Sequence, residues 1–432
     1  MYALIALVFV IGYLAIALEH PLHINKAASA LVTGVLVWVL IVVGQGTLLA
    51  PEAQGAEHIN HQLLEHLGEI ASILFFLMGA MTIVELVDAH EGFRVITDRI
   101  TGRKKSMLIW VVGAITFFLS AALDNMTTTI VMCALLRKLV KDRNDLWVLA
   151  GIVVIAANAG GAWSPIGDVT TIMLWIGGQV TAPSIMKVLF VPSVVCLLLP
   201  LVWYTLTFKG TIEWPAEETG KSIHSAVPRG EQVLIFVMGL VALLGVPVFK
   251  TITHLPPYMG ILLGLGVMWI ITELLHRNKI GSDSGHLKVT SVLRRIDVPS
   301  VLFFFGILTA VSGLQVAGHL TDTAHFLDQR LGNIYAVNTV IGVLSAIVDN
   351  VPLVAAAMGM YPLTQFTPDS PFWSLLALCA GTGGSILIIG SASGVAAMGI
   401  LGIDFLWYLR RVALPAALGY FGGILTFWLL NN

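Results

Sequence analysis

Ser120-Ala-Ala-Leu-Asp124-Asn125-Met-Thr127 returns later in the chain as Ser345-Ala-Ile-Val-Asp349-Asn350-Val-Pro352, with the two aspartates 225 positions apart. A second pair follows each copy: Asn158-Ala-Gly160-Gly161-Ala-Trp-Ser164-Pro165-Ile-Gly167-Asp168, and Gly381-Thr382-Gly383-Gly384-Ser385 running on to Gly390-Ser391. In this pair Gly160 and Gly383 are 223 positions apart. A third pair precedes both, Ser72-Ile-Leu-Phe75-Phe76 and Ser300-Val-Leu-Phe303-Phe304, at an offset of 228. Three matches in one order at nearly one offset mark an internal duplication.

Composition says what kind of duplication this is. Only 11% of the residues are charged and 57% are hydrophobic, whereas a soluble domain carries about 25% charged residues. Such a chain needs lipid as its solvent, and many segments meet the requirement of about 20 mostly apolar residues for a membrane span. The formal net charge of −2 gives no basis for nucleic-acid binding. Cys133, Cys196 and Cys379 sit in apolar stretches without C-x-x-C spacing, which implies neither disulfides nor a cysteine metal cluster. Residues 2–18 lack a basic leader and a small-residue cleavage site, so they read as a retained span.

The sequence predicts an all-α polytopic membrane protein of two repeats, 1–210 and 231–432, joined by a cytoplasmic linker at 211–230. In the first repeat, spans are predicted near 2–18, 27–46 and 68–88, then a hairpin at 106–140, a Gly-broken span at 146–178 and a last span at 184–208. The second repeat matches them with 231–249, 256–276, 298–318, a hairpin at 334–366, a broken span at 372–402 and a last span at 405–430. Basic residues flank the first hairpin on both sides: Arg94, Arg99, Arg103, Lys104 and Lys105 before it, Arg137, Lys138, Lys141 and Arg143 after it. Lysine and arginine collect on the cytoplasmic side, so this hairpin starts and ends there and is re-entrant. About five true spans then remain per repeat, and an odd number inverts the second copy. The basic loop 276–297 falls inside, while the loop 47–67 and Thr367-Pro-Asp-Ser-Pro371, without lysine or arginine, fall outside. Both termini are predicted outside.

Inverted repeats with broken helices are the signature of secondary transporters, whose substrate sits near the midplane between the copies. The four breaks free backbone carbonyls and amides, which lipid cannot satisfy. Asp124 and Asp349 are the leading candidates for the chemistry. An ionised carboxylate at mid-membrane costs roughly 2.5–3.5 kcal/mol on insertion scales, and binding either Na⁺ or a proton relieves that cost. The two occupants exclude each other on one oxygen, which is the minimal machinery for exchange. Asn125, Asn350 and Thr127 offer neutral oxygens beside these acids. Asp168 is a third acid with no acidic counterpart, since Ser391 stands at its place in the second repeat. Asn158, Thr170, Thr171, Ser345, Thr382 and Ser385 are further candidate oxygen ligands or near neighbours, and Gly160, Gly161, Gly383 and Gly384 allow backbone to approach the ion. Alternative readings exist for each. Asp and Asn at hairpin tips and at 168 also serve as helix N-caps, and Ser, Thr and Gly also pack helices in membranes. Glu85 reads equally as an interfacial or helix-pairing residue or a proton relay; the spacing of His58, His61 and His66 suits a metal or a pH sensor, with a solvated amphipathic surface helix as the favoured reading.

At these motifs the chain resembles the NhaD-type sodium/proton antiporters of the ion transporter superfamily, over nearly its whole length. The resemblance rests on the runs around Asp124-Asn125, Gly160 to Thr171, Ser345 to Pro352 and Gly381 to Ser385. It implies a bacterial inner-membrane protein that exchanges Na⁺ or Li⁺ for H⁺ at alkaline pH, contributing to pH homeostasis. It also implies a homodimer with scaffold and mobile transport domains, and no cofactor beyond the transported ions. Carried over by position, Asp124, Asn125, Asn158, Asp168, Thr170, Thr171, Ser345, Asn350 and Ser385 are the functional residues.

Three other functions compete. A Na⁺-coupled carboxylate symporter shares such a fold, but fixed negative charge beside the site repels an anion, and neither broken segment carries an arginine. An intramembrane aspartyl protease needs two acids sharing one proton at short range, and it explains neither the inverted halves nor the breaks. An arsenite or metal pump calls for a soft, cysteine-based site.

Overall fold

The chain is described by a computed structural model over residues 1–49, 54–97, 104–212, 227–277 and 287–431. Arg99, Arg103, Lys279 and residues 213–226 of the predicted linker lie outside those residues. Among the described residues every regular element is a helix, apart from one isolated bridge between Lys104 and Thr211. The first repeat runs α1 (Tyr2–Ala17), α2 (Lys26–Leu48), α3 (Ala56–Ala89), α4 (Lys105–Ala122), α5 (Asn125–Leu139), α6 (Arg143–Ala162), α7 (Val169–Ile176) and α8 (Ala182–Thr207). The second runs α9 (Arg229–Thr253), α10 (Pro257–His276), α11 (Val298–Val316), α12 (His319–Leu331), α13 (Ile334–Leu344), α14 (Asn350–Met360), α15 (Pro371–Gly383), α16 (Ala392–Leu401), α17 (Phe405–Arg411) and α18 (Ala413–Asn431). Nine of the described helices are long and apolar enough to cross a membrane.

The halves are related by exchange of partners. Helix α2 packs on α11, while its counterpart α10 packs on α3, the counterpart of α11. In the same way α5 packs on α16, and α14 packs on α7. Like elements that trade equivalent neighbours define a pseudo-two-fold axis, the inverted-repeat arrangement predicted from the sequence. Helices α1–α3 and α9–α11 form the scaffold group. The hairpins α4–α5 and α13–α14, the broken helices α6/α7 and α15/α16, and α8 with α18 form the transport group.

Small residues make the tight crossings that substitute for hydrophobic collapse in lipid. A Cβ on Gly160 would stand 2.1 Å from the Phe117 carbonyl oxygen, and one on Gly383 would stand 2.0 Å from that of Gly342. These are the same contact in the two repeats, and each seats the first arm of a hairpin on the first half of a broken helix. Gly161 and Gly384 fold against Gly167 and Gly390 in the same repeated way. Two serines fasten these crossings: Ser120 Oγ donates to the Ala157 carbonyl at 2.6 Å, and Ser345 Oγ to that of Ala380 at 2.7 Å.

Three elements differ from expectation. The third span begins at Ala56 rather than near 68, because Gly55, at φ 119, is the last break before a run without proline. His58 and His61 therefore ride on the exposed first turns of a spanning helix, with His61 3.8 Å from Glu65. Helix α12 is amphipathic, bracketed by Gly318 and Gly332 at positive φ, and was not read from the sequence. The last predicted span divides at Val412 into α17 and α18, and α16 and α17 meet at 118°.

Overpacking a filled crossing costs about 1–3 kcal/mol. Gly160→Ala and Gly383→Ala should each lower the melting temperature of the detergent-solubilised protein. Gly46→Ala, where an added Cβ meets nothing, should leave it in place or raise it. Equal melting of all three variants would remove the repeated crossing as a structural determinant.

Candidate functional site

Each of the four breaks ends in a side chain that caps the next helix. Asp124 Oδ1 accepts from the Thr127 amide at 2.7 Å and its Oδ2 accepts from the Thr127 hydroxyl at 2.6 Å, starting α5. Asp349 Oδ1 accepts from the Val351 amide at 3.1 Å and starts α14. Asp168 caps α7 through the Thr170 amide at 2.9 Å, and Ser391 caps α16 through the Gly394 amide at 3.2 Å. The first orphan amides of each helix are thus satisfied at membrane depth. The carbonyls near the breaks have donors too: Ser164 Oγ donates to Ala121 at 2.5 Å, Tyr408 to Ser385 at 2.9 Å and Lys250 to Trp175 at 3.0 Å.

Asp168 lies at the convergence of the breaks and is 1% exposed. Its Oδ2 accepts from Asn125 Nδ2 at 2.6 Å, and Asn350 Nδ2 lies 3.4 and 3.3 Å from its two oxygens. The Thr170 hydroxyl adds a bond at 3.0 Å. One acid therefore receives an amide from the tip of each hairpin. Asn158 joins this centre to the second broken helix: its oxygen accepts from Asn125 at 3.0 Å and Ser393 at 2.7 Å, and its amide donates to Ser385 and Ser391, each at 2.9 Å. Among the described residues, no lysine or arginine bonds to Asp168. A buried carboxylate surrounded by amide and hydroxyl groups, without a basic partner, suits a proton or a small hard cation.

The sequence candidates separate by position. Asp168, Asn125, Asn158, Asn350, Thr170 and Ser385 meet in one network. Asp124 and Asp349 are only partly buried and flank it as caps. Asp349 also faces Lys26, whose ammonium lies 3.8 Å from Oδ2 and 4.5 Å from the centre of the Phe303 ring. Thr127 attends Asp124 alone, and Thr171 bonds the backbone of Asp168 at 2.9 Å. The hydroxyls of Ser345 and Thr382 are taken by carbonyls, and Gly160, Gly161, Gly383 and Gly384 meet hairpin or loop backbone. Glu85 lies 3.6 Å from Arg295, a pairing contact. Sequence reasoning left out Lys26, which precedes its span as an ordinary interfacial lysine would, and underweighted Ser391 and Ser393. The pairing of Asp168 with Ser391 at one repeat position was the available signal for the latter.

A cavity of about 740 Å³ lies between the scaffold helices α3 and α11 and the transport helices α7 and α14. Glu69, His66, Lys250, His254 and Gln315 line it, and Met173, one turn beyond Thr170, lies at its wall on α7.

Inverted repeats around such a centre define a multi-pass membrane transporter rather than an enzyme. Residues 13–381 match the family described as citrate transporter, CitMHS. Sodium/proton antiporter 1 of Arabidopsis thaliana is 51% identical over 427 residues, covering 99% of this chain and 72% of that protein. Na(+)/H(+) antiporter NhaD of Vibrio cholerae is 32% identical over 458 residues, covering 99% and 91% respectively. Among solved structures, the Alcanivorax borkumensis YdaH transporter, reported with an unusual topology, is similar in fold, with a TM-score of 0.52 at 10% identity over 93% of this chain and 98% of that one. The chain belongs to the citrate-transporter family CitMHS and to the NhaD-type sodium/proton antiporters of the ion transporter superfamily.

Removing one member of a buried polar network strands its partners at about 1–3 kcal/mol. Asn158→Ala should therefore destabilise the solubilised protein by that order, measured by thermal or denaturant unfolding. Ser72→Ala, on the exposed side of α3 where Ser72 bonds only its own helix, should be silent. A stable Asn158→Ala protein would show that the network does not hold the two repeats together.

Proposed function

We propose that this protein is a secondary active antiporter that extrudes Na⁺ or Li⁺ in exchange for protons. Its central exchanging group is Asp168. The observation that carries the reading is the Asp168 carboxylate itself, buried without a basic partner and held by one asparagine from each hairpin.

The exchange follows from competition. With the site open to the cytoplasm, the proton leaves Asp168 and a cation takes its place on the carboxylate. Asn125 and Asn350 present their amide nitrogens to the acid; a half-turn of each amide presents the oxygen instead, which supplies neutral ligands to the arriving cation. Thr170, Asn158 and Ser385 stand close enough to complete an oxygen shell. Asp124 and Asp349 add negative charge on either flank, with Lys26 moderating that of Asp349. Protons from the other side then displace the cation.

The transport group carries every ligand, so moving it against the scaffold transfers the site between sides by alternating access. The cavity along α3 and α7 is the outward vestibule in this reading, because it opens among the loop residues that the charge distribution assigns outside. The same distribution places both termini outside and the linker in the cytoplasm. An inward proton gradient drives the cycle. If more than one proton moves per cation, the membrane potential contributes about 2.3 kcal/mol per net charge per 100 mV.

The family description, citrate transporter, favours a second reading: Na⁺-coupled uptake of a carboxylate. Fixed negative charge at Asp168, Asp124 and Asp349 opposes an anionic substrate.

Proteoliposomes with a preset pH gradient and a pH dye separate the two. Na⁺ or Li⁺ should collapse the gradient, and citrate or succinate should not. Asp168→Asn should abolish the response, and Asp124→Asn and Asp349→Asn should each impair it at least tenfold, with insertion intact in all three. Sodium-dependent accumulation of citrate would give the second reading precedence, and wild-type exchange by Asp168→Asn would remove that residue from the mechanism.

A further inference from the structure

Away from the midplane, three scaffold helices bring a separate set of ionisable side chains together. His90 ends α3, Glu231 lies in the first turn of α9, and His276 ends α10. These three helices pack on one another, and all three side chains are buried. One ligand atom from each lies within 4.8 Å of the other two. The charge distribution puts these helix ends at the cytoplasmic side, opposite the vestibule.

The hydrogen bonds fix how the rings present themselves. His90 Nδ1 lies 2.7 Å from the Leu86 carbonyl, and His276 Nδ1 lies 2.8 Å from that of Thr272. A carbonyl only accepts, so both Nδ1 atoms carry the hydrogen, and Nε2 of each ring faces Glu231. A carbonyl behind the far ring nitrogen is also the usual outer support of a metal-bound histidine. Glu231 Oε1 lies 2.6 Å from His276 Nε2 and 3.9 Å from His90 Nε2. A carboxylate oxygen facing an imidazole lone pair at hydrogen-bond distance requires a positive species between them. A proton on His276 answers that one contact. A divalent cation would take both Nε2 atoms and the carboxylate oxygen as ligands at once.

We propose that His90, Glu231 and His276 bind a divalent transition-metal ion of the zinc class at the junction of α3, α9 and α10. Two imidazole nitrogens and one carboxylate oxygen are a donor set that Zn²⁺ takes readily, with water in the fourth tetrahedral position. Ligand bonds of about 2.0–2.2 Å at tetrahedral angles put the ligand atoms about 3.3 Å apart, between the two distances from Glu231. Binding therefore requires a small outward shift of His276 and a small inward one of His90. The ion would clamp the cytoplasmic ends of three scaffold helices, so the scaffold stays rigid while the transport group moves. The site is independent of Asp168, and the two proposals stand or fall separately.

The test uses the purified full chain in detergent, stripped with a chelator, loaded with Zn²⁺ alone, washed and analysed for bound metal. The wild type should retain close to one zinc per chain, and His276→Gln and His90→Gln should each lose most of it. The double variant His58→Gln/His61→Gln, which removes exposed histidines at the far end of α3, should retain it. Co²⁺ loaded into the wild type gives a check that needs no variant: the intense visible absorption of tetrahedral nitrogen and oxygen ligation is expected. Absence of retained zinc in the wild type, unchanged retention in both cluster variants, or the weak octahedral cobalt spectrum would each overturn the proposal.

Discussion

A carboxylate as buried as that of Asp168, 1% exposed, has to be answered by the groups around it. The answer comes from both repeats at once: Asn125 from one hairpin tip, Asn350 from the other, and Thr170 from its own half-helix. None of these groups carries charge. Hydrogen bonds from neutral donors reduce the penalty of burial without cancelling the negative charge. A proton or a small cation is then worth more there than at a surface carboxylate, which is the physical basis of the competition proposed for its oxygens.

The rest of the fold serves to hold interrupted helices around that carboxylate. Helical interruptions in lipid persist only where protein takes up the freed backbone groups. Caps at Asp124, Asp168, Asp349 and Ser391 take up the amides, while Ser120, Ser164, Ser345 and Tyr408 take up carbonyls. The Gly160 and Gly383 crossings bring hairpin and broken helix close enough for this to work. The duplication makes these devices equivalent in pairs. It makes the chemistry unequal, because the acid at 168 is matched by a serine at 391. One repeat supplies the charge and the other supplies hydroxyls that reach it through Asn158.

Much of this arrangement was legible in the sequence, because duplication and membrane depth each leave a residue-level trace. The repeated Asp-Asn tips coincide with the helix breaks at 123–124 and 345–349, and the repeated glycine pairs with those at 163–168 and 384–391; the basic residues on both sides of 106–140 are the basis for the re-entrant path proposed for it. The ranking of the acids was less legible. Asp124 and Asp349 stand out by repetition, yet capping explains their repetition equally well, and only tertiary packing distinguishes a flank from a centre. Lys26 beside Asp349 is a contact across more than 300 residues, which no local pattern announces. The His90, Glu231 and His276 cluster was invisible for the same reason, being three single residues at the ends of three helices. The start of α3 was misjudged because polar residues 56–67 read as a surface helix in an outside loop, separate from the span, although nothing between them and residue 68 interrupts the helix.

The central claim is that a proton and a sodium ion exclude each other at Asp168. Binding of radiolabelled sodium to the purified protein in detergent, measured over a series of pH values without any gradient, tests it most directly. If one proton must leave for each ion bound, the apparent Kd should rise roughly tenfold for each pH unit below the point at which the site is protonated. It should level off above that point. A sodium affinity that stays constant across the whole series would contradict the account.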